Sequence, residues 1–403
     1  MQIVIPTIFG LESLVKQELI DIGYESGQIT ANNGQILFEA SQEDFPKAVA
    51  RCNIWLRTAE RVLIKVGGGR AVTFDQLFNL SLEIPWEKYI PDRWAFHVNG
   101  YSRKSDLFGI SACQAIVKKS IVKRISDKKG LNAGANLPED ENTGLIKITF
   151  SIVDNNITFM LDTSGDGLHK RGYRPLSHAA PIKETLAAAL VLLSQWNVFK
   201  DEAIIDPMCG SGTIPIEAAL IAMNIAPGIN RSFAAEKWPL ITKKVFDAAR
   251  QEALDLQRSD YPDRPFIFAG DIDKRNVELS KDNANRANVR HLISFQETDV
   301  RTFDFAAIQK WTNLPRALII TNPPYGERLM EKENALDLFK DMGRIWIKGK
   351  NVVNKLRISI IAPLDVFEES FGAVADKRRK LYNGMIPCNM YHYFKSIRED
   401  NKL

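Results

Sequence analysis

The sequence predicts an α/β protein whose second half is a doubly wound sheet and whose first half is made of smaller α+β units. Three observations carry this prediction. From residue 181 onward, short apolar runs alternate with helical patterns, the rhythm of a parallel sheet with helical crossovers. The first of those runs feeds a glycine-containing turn, Asp206-Pro-Met-Cys-Gly-Ser-Gly-Thr213. Before about residue 170, strands and helices follow one another without that regularity.

Taken in order, residues 2–6 and 35–39 read as strands, and 11–22 and 45–57 as helices. A strand at 95–98, a helix at 111–126 and strands at 145–153 and 157–162 follow. Asp154-Asn155-Asn156 joins the last two as a hairpin turn, because Asn and Asp tolerate left-handed backbone. The stretch 130–144, rich in Asn, Gly and acidic residues, reads as a loop. Pro181 is placed to open a helix at 182–198 that is apolar on several faces and therefore buried. Next come strand 203–205, helix 213–224, strand 266–269, helix 276–288 and strand 292–296. Strand 317–320, helix 335–347 and strand 356–362 complete the alternation. Strands at 380–382 and 390–394 around Asn383-Gly384 predict an antiparallel hairpin closing one edge of the sheet.

A length of 403 residues predicts two or three domains, and 45% apolar with 25% charged residues is the balance of an ordinary globular protein. The net charge of +4 admits a polyanionic partner without demanding one. Cys52, Cys113, Cys209 and Cys388 lie far apart, with no C-x-x-C and no His at ligand spacing. Neither a disulfide framework nor a metal site is expected, and a reducing compartment fits best. The first residues lack the basic-then-apolar order of a secretory signal, and no apolar run is long enough to span a bilayer. The expectation is a cytoplasmic protein with no membrane partner.

Ligands of open α/β sheets bind beyond the carboxyl ends of the strands, where glycine lets the backbone come close. Gly210 and Gly212 provide this after the first strand. The third glycine of a dinucleotide fingerprint is missing, and Asp206 would repel a pyrophosphate, which disfavours a nicotinamide dehydrogenase. Asp206 would instead welcome a cation such as S-adenosyl-L-methionine. Asp271, in Gly270-Asp271-Ile272-Asp273, is suited to accept both hydroxyls of a ribose, and Asp299 to accept from an adenine amine. Each carboxylate taken alone is better read as a helix cap or a surface charge. Asp206, Asp271, Asp299 and Asn322, ending four successive strands, form one crevice.

Thr321-Asn-Pro-Pro-Tyr-Gly-Glu-Arg328 follows the apolar run 317–320. Asn-Pro-Pro-aromatic at a strand end suits methylation of an exocyclic base amine, whose lone pair is delocalised until acceptors grip its N–H bonds. Asn322 offers a side-chain oxygen, Pro323 a carbonyl, and Tyr325 a flat face for stacking a base. The plainer reading is a turn that ends a strand. Adenine N6 in DNA is an alternative target, and a non-catalytic RNA-binding or ribosome-assembly factor an alternative class. Cys209 has no base beside it and reads as a packing residue.

Together these segments resemble the class I S-adenosylmethionine-dependent methyltransferases that act on base amines. Thr163-Ser-Gly-Asp-Gly-Leu-His-Lys-Arg-Gly-Tyr-Arg174, the following His-Ala-Ala-Pro-Ile-Lys-Glu-Thr run and Arg231-Ser-Phe-Ala-Ala-Glu-Lys-Trp-Pro239 narrow the resemblance. They are similar to the THUMP-domain RNA guanine-N2 methyltransferases, with the bacterial 23S ribosomal RNA members nearest and transfer RNA the alternative substrate. The resemblance implies a ferredoxin-like domain over 1–58, a THUMP RNA-binding domain over 59–165 and a Rossmann-like methyltransferase domain over 166–403. It also implies that Asp206 and Gly210 line the methionine end of the cofactor, Asp271 its ribose and Asp299 its adenine. Asn322, Pro323 and Tyr325 hold the target base on the same grounds, and the segment 181–185 packs beside the cofactor. Longer ribosomal members carry a second methyltransferase domain and this chain ends at Leu403, so a single methylation is expected.

Candidate phosphate contacts are Arg103, Lys104, Lys118, Lys119, Lys123, Arg124, Lys128 and Lys129. On the 111–126 helix Val117, Ile121 and Ile125 form an apolar stripe, while Lys118, Lys119 and Lys123 project elsewhere. Lys170, Arg171 and Arg174, around Tyr173 at the domain junction, are further RNA candidates, with a structural linker as the other reading. Lys377-Arg378-Arg379-Lys380 precedes the terminal hairpin and is placed to touch substrate backbone.

Overall fold

The computed structural model describes residues 1–131, 140–174, 182–196, 201–259, 265–302, 304, 308, 312–325, 329–347, 356–363 and 367–394. Its first part runs β1 (Gln2–Pro6), α1 (Glu12–Asp21), β2 (Ile29–Asn32), β3 (Gln35–Glu39), α2 (Phe45–Trp55), β4 (Leu63–Arg70) and α3 (Phe74–Leu82). It continues with β5 (Trp94–Arg103), α4 (Ile110–Lys129), β6 (Asp140–Val153) and β7 (Asn156–Asp162). Among the described residues these strands make one seven-stranded sheet in the order β2-β3-β1-β4-β7-β6-β5. The join is antiparallel, with Ile3 opposite Ile64 and Val4 opposite Leu63, so the two α+β units share a single sheet.

One face of that sheet carries the core. Ile146, Ile148, Phe150 and Ile152 alternate along β6 and are fully buried, as strand periodicity requires when only one face is covered. They belong to one apolar cluster with Val117, Ile121 and Ile125 of α4 and Leu77 of α3. Asp154 and Asn155 turn the β6–β7 hairpin at φ of 50° and 63°, the left-handed pair that a two-residue turn needs. β6 begins at Asp140, within the stretch expected to be a loop as far as 144; Asp140 pairs with Trp94, residues 141–144 bulge out of the ladder, and continuous pairing with β5 resumes at Leu145. Residues 132–139 of it lie outside the described residues.

The second part contains α5 (Glu184–Leu193), β8 (Glu202–Asp206), α6 (Thr213–Ala222), α7 (Lys243–Asp255), β9 (Ile267–Asp271) and α8 (Lys274–Arg286). β10 (Ile293–Glu297), β11 (Arg316–Thr321), α9 (Leu329–Trp346), β12 (Leu356–Pro363), β13 (Lys377–Asn383) and β14 (Ile386–Tyr393) follow. The sheet order is β10-β9-β8-β11-β12-β14-β13. β10 to β12 are parallel and β14 runs antiparallel to β12, so the predicted hairpin does close an edge. Strand order reverses between β8 and β11, the switch point where such sheets bind ligands. α5 is shorter than the expected 182–198 helix: it ends at Leu193, and Gln195 turns away at φ 53°. Pro181 and residues 197–200 lie outside the described residues.

The two parts meet across a mixed interface. Helix α7 packs on α2, with Phe246, Ala249 and Ala253 joining the core that holds Ala48 and Val49. Arg51 pairs with Glu252 at 2.7 Å, and Glu60 accepts from Lys183 Nζ and Thr185 Oγ1, each at 2.9 Å.

Candidate active site

Adjacent strands deliver the predicted residues to one place. The ends of β8, β9, β10 and β11 surround a cavity of about 630 Å³ lined by Gly210, Asp271, Asp299, Asn322 and Pro323. That volume is in the range of small-ligand sites. The polar groups of the wall are held in advance. Asp271 Oδ2 accepts from Gly210 N at 2.9 Å, while Oδ1 accepts from Asp273 N at 2.9 Å and Asn276 Nδ2 at 3.1 Å. Asp299 Oδ1 accepts from Arg301 N at 2.9 Å.

The glycine turn separates two tasks. Gly210 has φ 53° and no atom within 4 Å of where a Cβ would stand, so the backbone itself faces open space. Gly212 has φ 79°, precedes α6, and a Cβ there would stand 2.8 Å from Cβ of Ser280 on α8. It does not line the cavity; it lets α6 close on α8.

Asp206 is placed differently from the expectation. It is 1% exposed and does not line the cavity, because its carboxylate turns inward. Oδ1 accepts from Thr321 Oγ1 at 2.7 Å and Met208 N at 3.3 Å. Burial pushes its pKa up to about 7, against the opposing pull of the Thr321 hydrogen bond. Asp206 thereby ties β8 to β11 one residue before Asn322.

Tyr325 stands outside the cavity wall. Its ring packs against the apolar cluster that includes Leu381 and Cys388, and it is not among the cavity-lining residues. The hydroxyl donates to Asn322 Oδ1 and accepts from Asn383 Nδ2 at 3.4 Å. Gly326, Glu327 and Arg328 lie outside the described residues.

Sequence reasoning missed several walls of the cavity, among them Met208, Ile272, Asn276, Val300 and Leu338. Ile272 had a signal: an apolar residue between two acids at a strand end, here 64% exposed. Cys209 is buried, and burial drives its thiol far toward the protonated form, in keeping with a packing residue.

The basic candidates divide by burial. Arg171 is sealed: its side chain is 2% exposed, lies 3.5 Å from Glu217 and donates to the carbonyls of Leu168 and Arg57. Arg174 pairs with Glu184 at 3.0 Å and donates to Thr213 Oγ1 at 2.9 Å. Both expectations of RNA contact are corrected, since a buried paired guanidinium cannot reach an external phosphate without breaking the domain junction. Lys170 is exposed beside Asp166. Lys118, Lys119 and Lys123 project from α4, with Lys123 3.0 Å from Asp127 and Lys118 5.3 Å from the Phe96 ring centre. Lys128 is exposed, whereas Arg124 pairs with Glu87 at 3.0 Å and Lys129 with Asp92 at 2.7 Å. Arg103 and Lys104 are exposed at the end of β5. Arg379 donates to Gly10 O and Ser13 Oγ and so fastens β13 to the first part. Among the described residues no group of His, Cys, Asp or Glu side chains is arranged to hold a metal, and no helix is long and apolar enough to cross a membrane.

Comparison with known proteins gives a consistent pattern. Residues 171–392 match the family model UPF0020, described as RMKL-like, methyltransferase domain. Residues 2–63 match an RlmL ferredoxin-like domain and residues 71–162 a THUMP domain. The chain is 41% identical to "Putative RNA methyltransferase YpsC" of Bacillus subtilis (strain 168), covering 98% of this chain and 96% of that protein. It is 31% identical to "Ribosomal RNA large subunit methyltransferase K/L" of Psychromonas ingrahamii, over 96% of this chain but 49% of that longer protein. Among solved structures, a "predicted N6-adenine-specific DNA methylase" from Listeria monocytogenes superposes with a TM-score of 0.84 at 42% identity, covering 98% of this chain and 96% of that one. SMU.472, titled "a putative methyltransferase complexed with SAH", superposes with a TM-score of 0.85 at 35% identity, covering 98% and 97%.

Proposed function

This chain belongs to the RMKL-like methyltransferase domain family, S-adenosylmethionine-dependent enzymes of RNA, and from that premise we propose that it methylates the exocyclic N2 of a guanine in large-subunit ribosomal RNA. The observation that carries the reading is the convergence of Gly210, Asp271, Asp299 and Asn322-Pro323 on one cavity at the switch point of the sheet. The cavity fits the cofactor: its volume is sufficient, Gly210 leaves the backbone open, and acidic and apolar walls alternate. Asp271 would take the ribose, Asp299 the adenine amine, and Ile272 a face of the purine. Bound there, S-adenosylmethionine supplies an electrophilic methyl group on a sulfonium.

The chain's own work is orientation. A carboxamide oxygen has two lone pairs. Tyr325 donates to one on Asn322 Oδ1, which fixes the amide and leaves the second for an N–H of the base. The Pro323 carbonyl is the partner for the other N–H. Held this way, the amine nitrogen presents its lone pair, and proximity with correct alignment provides the main rate advantage. The proton released after transfer passes to water. Tyr325 acts as a positioning residue in this scheme.

Adenine N6 is the second reading, favoured by the name given to the Listeria structure. Incubation of the protein with methyl-labelled S-adenosylmethionine and either total RNA or DNA tests the substrate class. Label entering RNA is expected. Label entering DNA alone would overturn the RNA reading.

A further inference from the structure

Among the described residues the seven-stranded sheet of the first part is covered by helices on one face and by none on the other, and that bare face holds a hollow. Its hollow measures about 810 Å³, and Leu63 and Met160 form its buried floor, 3% and 2% exposed. Polar side chains ring that floor: Thr149 and Ser151 of β6, Asn156 and Thr158 of β7, and Asn32 beside β3.

Charge and aromaticity define the occupant. Arg61, Tyr101 and Arg103 line the hollow. Register adds two further cations to this face: Lys65 stands opposite Met160, and Arg70 opposite Asn156. Lys147 alternates with the buried Ile146 and Ile148 and so points the same way. Among the described residues the acids on this face are Glu39, which accepts from Gln2, Asp162, which already pairs with Arg61, and Glu141, which pairs with His97. Lys65, Arg70 and Arg103 are exposed, and Tyr101 is 50% exposed with its ring available for stacking. Cations at a polar hollow with an aromatic platform are the chemistry of single-stranded nucleic acid recognition, in which bases stack and phosphates meet Arg and Lys. A duplex presents no free base to Tyr101.

A short series of residues links the edge of the hollow to Asn322. Pro6 lines its edge, and Phe9, three residues on, is 48% exposed and makes an edge-on contact with Tyr382 at 6.3 Å between ring centres. Lys380 sits 5.9 Å from the Tyr382 ring. Asn383, the next residue, donates to the Tyr325 hydroxyl that holds Asn322.

We propose that the bare face of the N-terminal sheet, centred on Tyr101, Arg103 and Lys65, holds a single-stranded segment of the RNA substrate. The proposal rests on the RNA reading above, and it separates Arg103 from the lysines of α4, which stand on the helix-covered side.

The test uses the full chain and a fluorescein-labelled single-stranded oligoribonucleotide of mixed sequence, with its perfect duplex as comparison. Binding is followed by anisotropy across a salt series. Tyr101→Ala is expected to weaken binding of the single strand roughly tenfold. The double variant K65Q/R103Q is expected to lower the slope of log affinity against log salt by about 1.4, two phosphate contacts' worth on a single strand. Thermal midpoints and calorimetric binding of S-adenosylmethionine are expected to stay at wild-type values, because these side chains are exposed. If wild-type protein binds the strand and both variants bind it with unchanged affinity and slope, the sheet face is not the site, while the RNA reading stands. A duplex bound as tightly as the strand, and weakened equally by Tyr101→Ala, would overturn single-strand recognition. Wild-type protein that binds neither RNA would instead defeat the RNA reading itself.

Discussion

The Tyr325 hydroxyl and the Asn322 amide are joined by a hydrogen bond, and that contact makes the roles of both residues separable by mutation. Asn322→Ala removes the acceptor that grips the amine and is expected to lower kcat by roughly 10² to 10³. Calorimetry should find the affinity for S-adenosylmethionine nearly unchanged; an equal loss of both would make Asn322 structural. Tyr325→Phe keeps the ring and deletes the donor. A kcat reduced about tenfold, with KM for RNA little changed, is expected from one lost orienting hydrogen bond. A rate equal to wild type would return Tyr325 to the stacking role that its sequence context suggests. Asp206 gives a prediction in pH. Its pKa is raised to about 7 in the folded chain against 3.8 for an ordinary Asp, so between those values the folded state holds a proton that the unfolded chain has released. The stability this contributes is full below about pH 4, falls as pH rises, and levels off above about pH 7, a loss on the order of 4 kcal/mol. Urea unfolding of Asp206→Asn across that range should show a shallower fall in stability than wild type, smaller by Asp206's share.

At the scale of elements, the strand ends were legible because each is an apolar run broken by a polar residue or glycine, as at Ile205-Asp206, Gly270-Asp271 and Ile320-Thr321. β4 was not, because Gly67-Gly68-Gly69 interrupts it and looks like a turn. Only its neighbours β1 and β7, whose pairing supplies what propensity lacks, make it a strand. α7 was missed for a related reason: it is mostly polar, and the few apolar positions that hold it, such as Phe246 and Ala249, need α2 as their partner. The α6–α8 contact yields a stability test. Gly212→Ala adds a methyl group 2.8 Å from Ser280 Cβ at a φ of 79°, so a loss of about 1–3 kcal/mol is expected, read as a lowered thermal midpoint. An unchanged midpoint would mean that the turn relaxes freely and that the close approach of the two helices is not needed.

For the whole molecule, what the sequence hides is partnership across long separations. Arg171 and Arg174 look like an RNA-facing cluster in one dimension, yet Glu217 and Glu184 draw them into the junction between the two parts. Likewise the two α+β units read as separate, and the β1–β4 pairing that unites them spans about sixty residues of chain. The same junction fastens the first part to the second, through Glu60 with Lys183 and Thr185 and through Arg379 with Gly10. RNA held on one part thus has a fixed relation to Asn322 on the other. The central claim is that this relation delivers a guanine amine to the Asn322-Pro323 acceptors. Mass spectrometry of nucleosides from RNA methylated by the purified protein tests it most directly. N2-methylguanosine, absent with Asn322→Ala, is the predicted product; N6-methyladenosine in its place would contradict it.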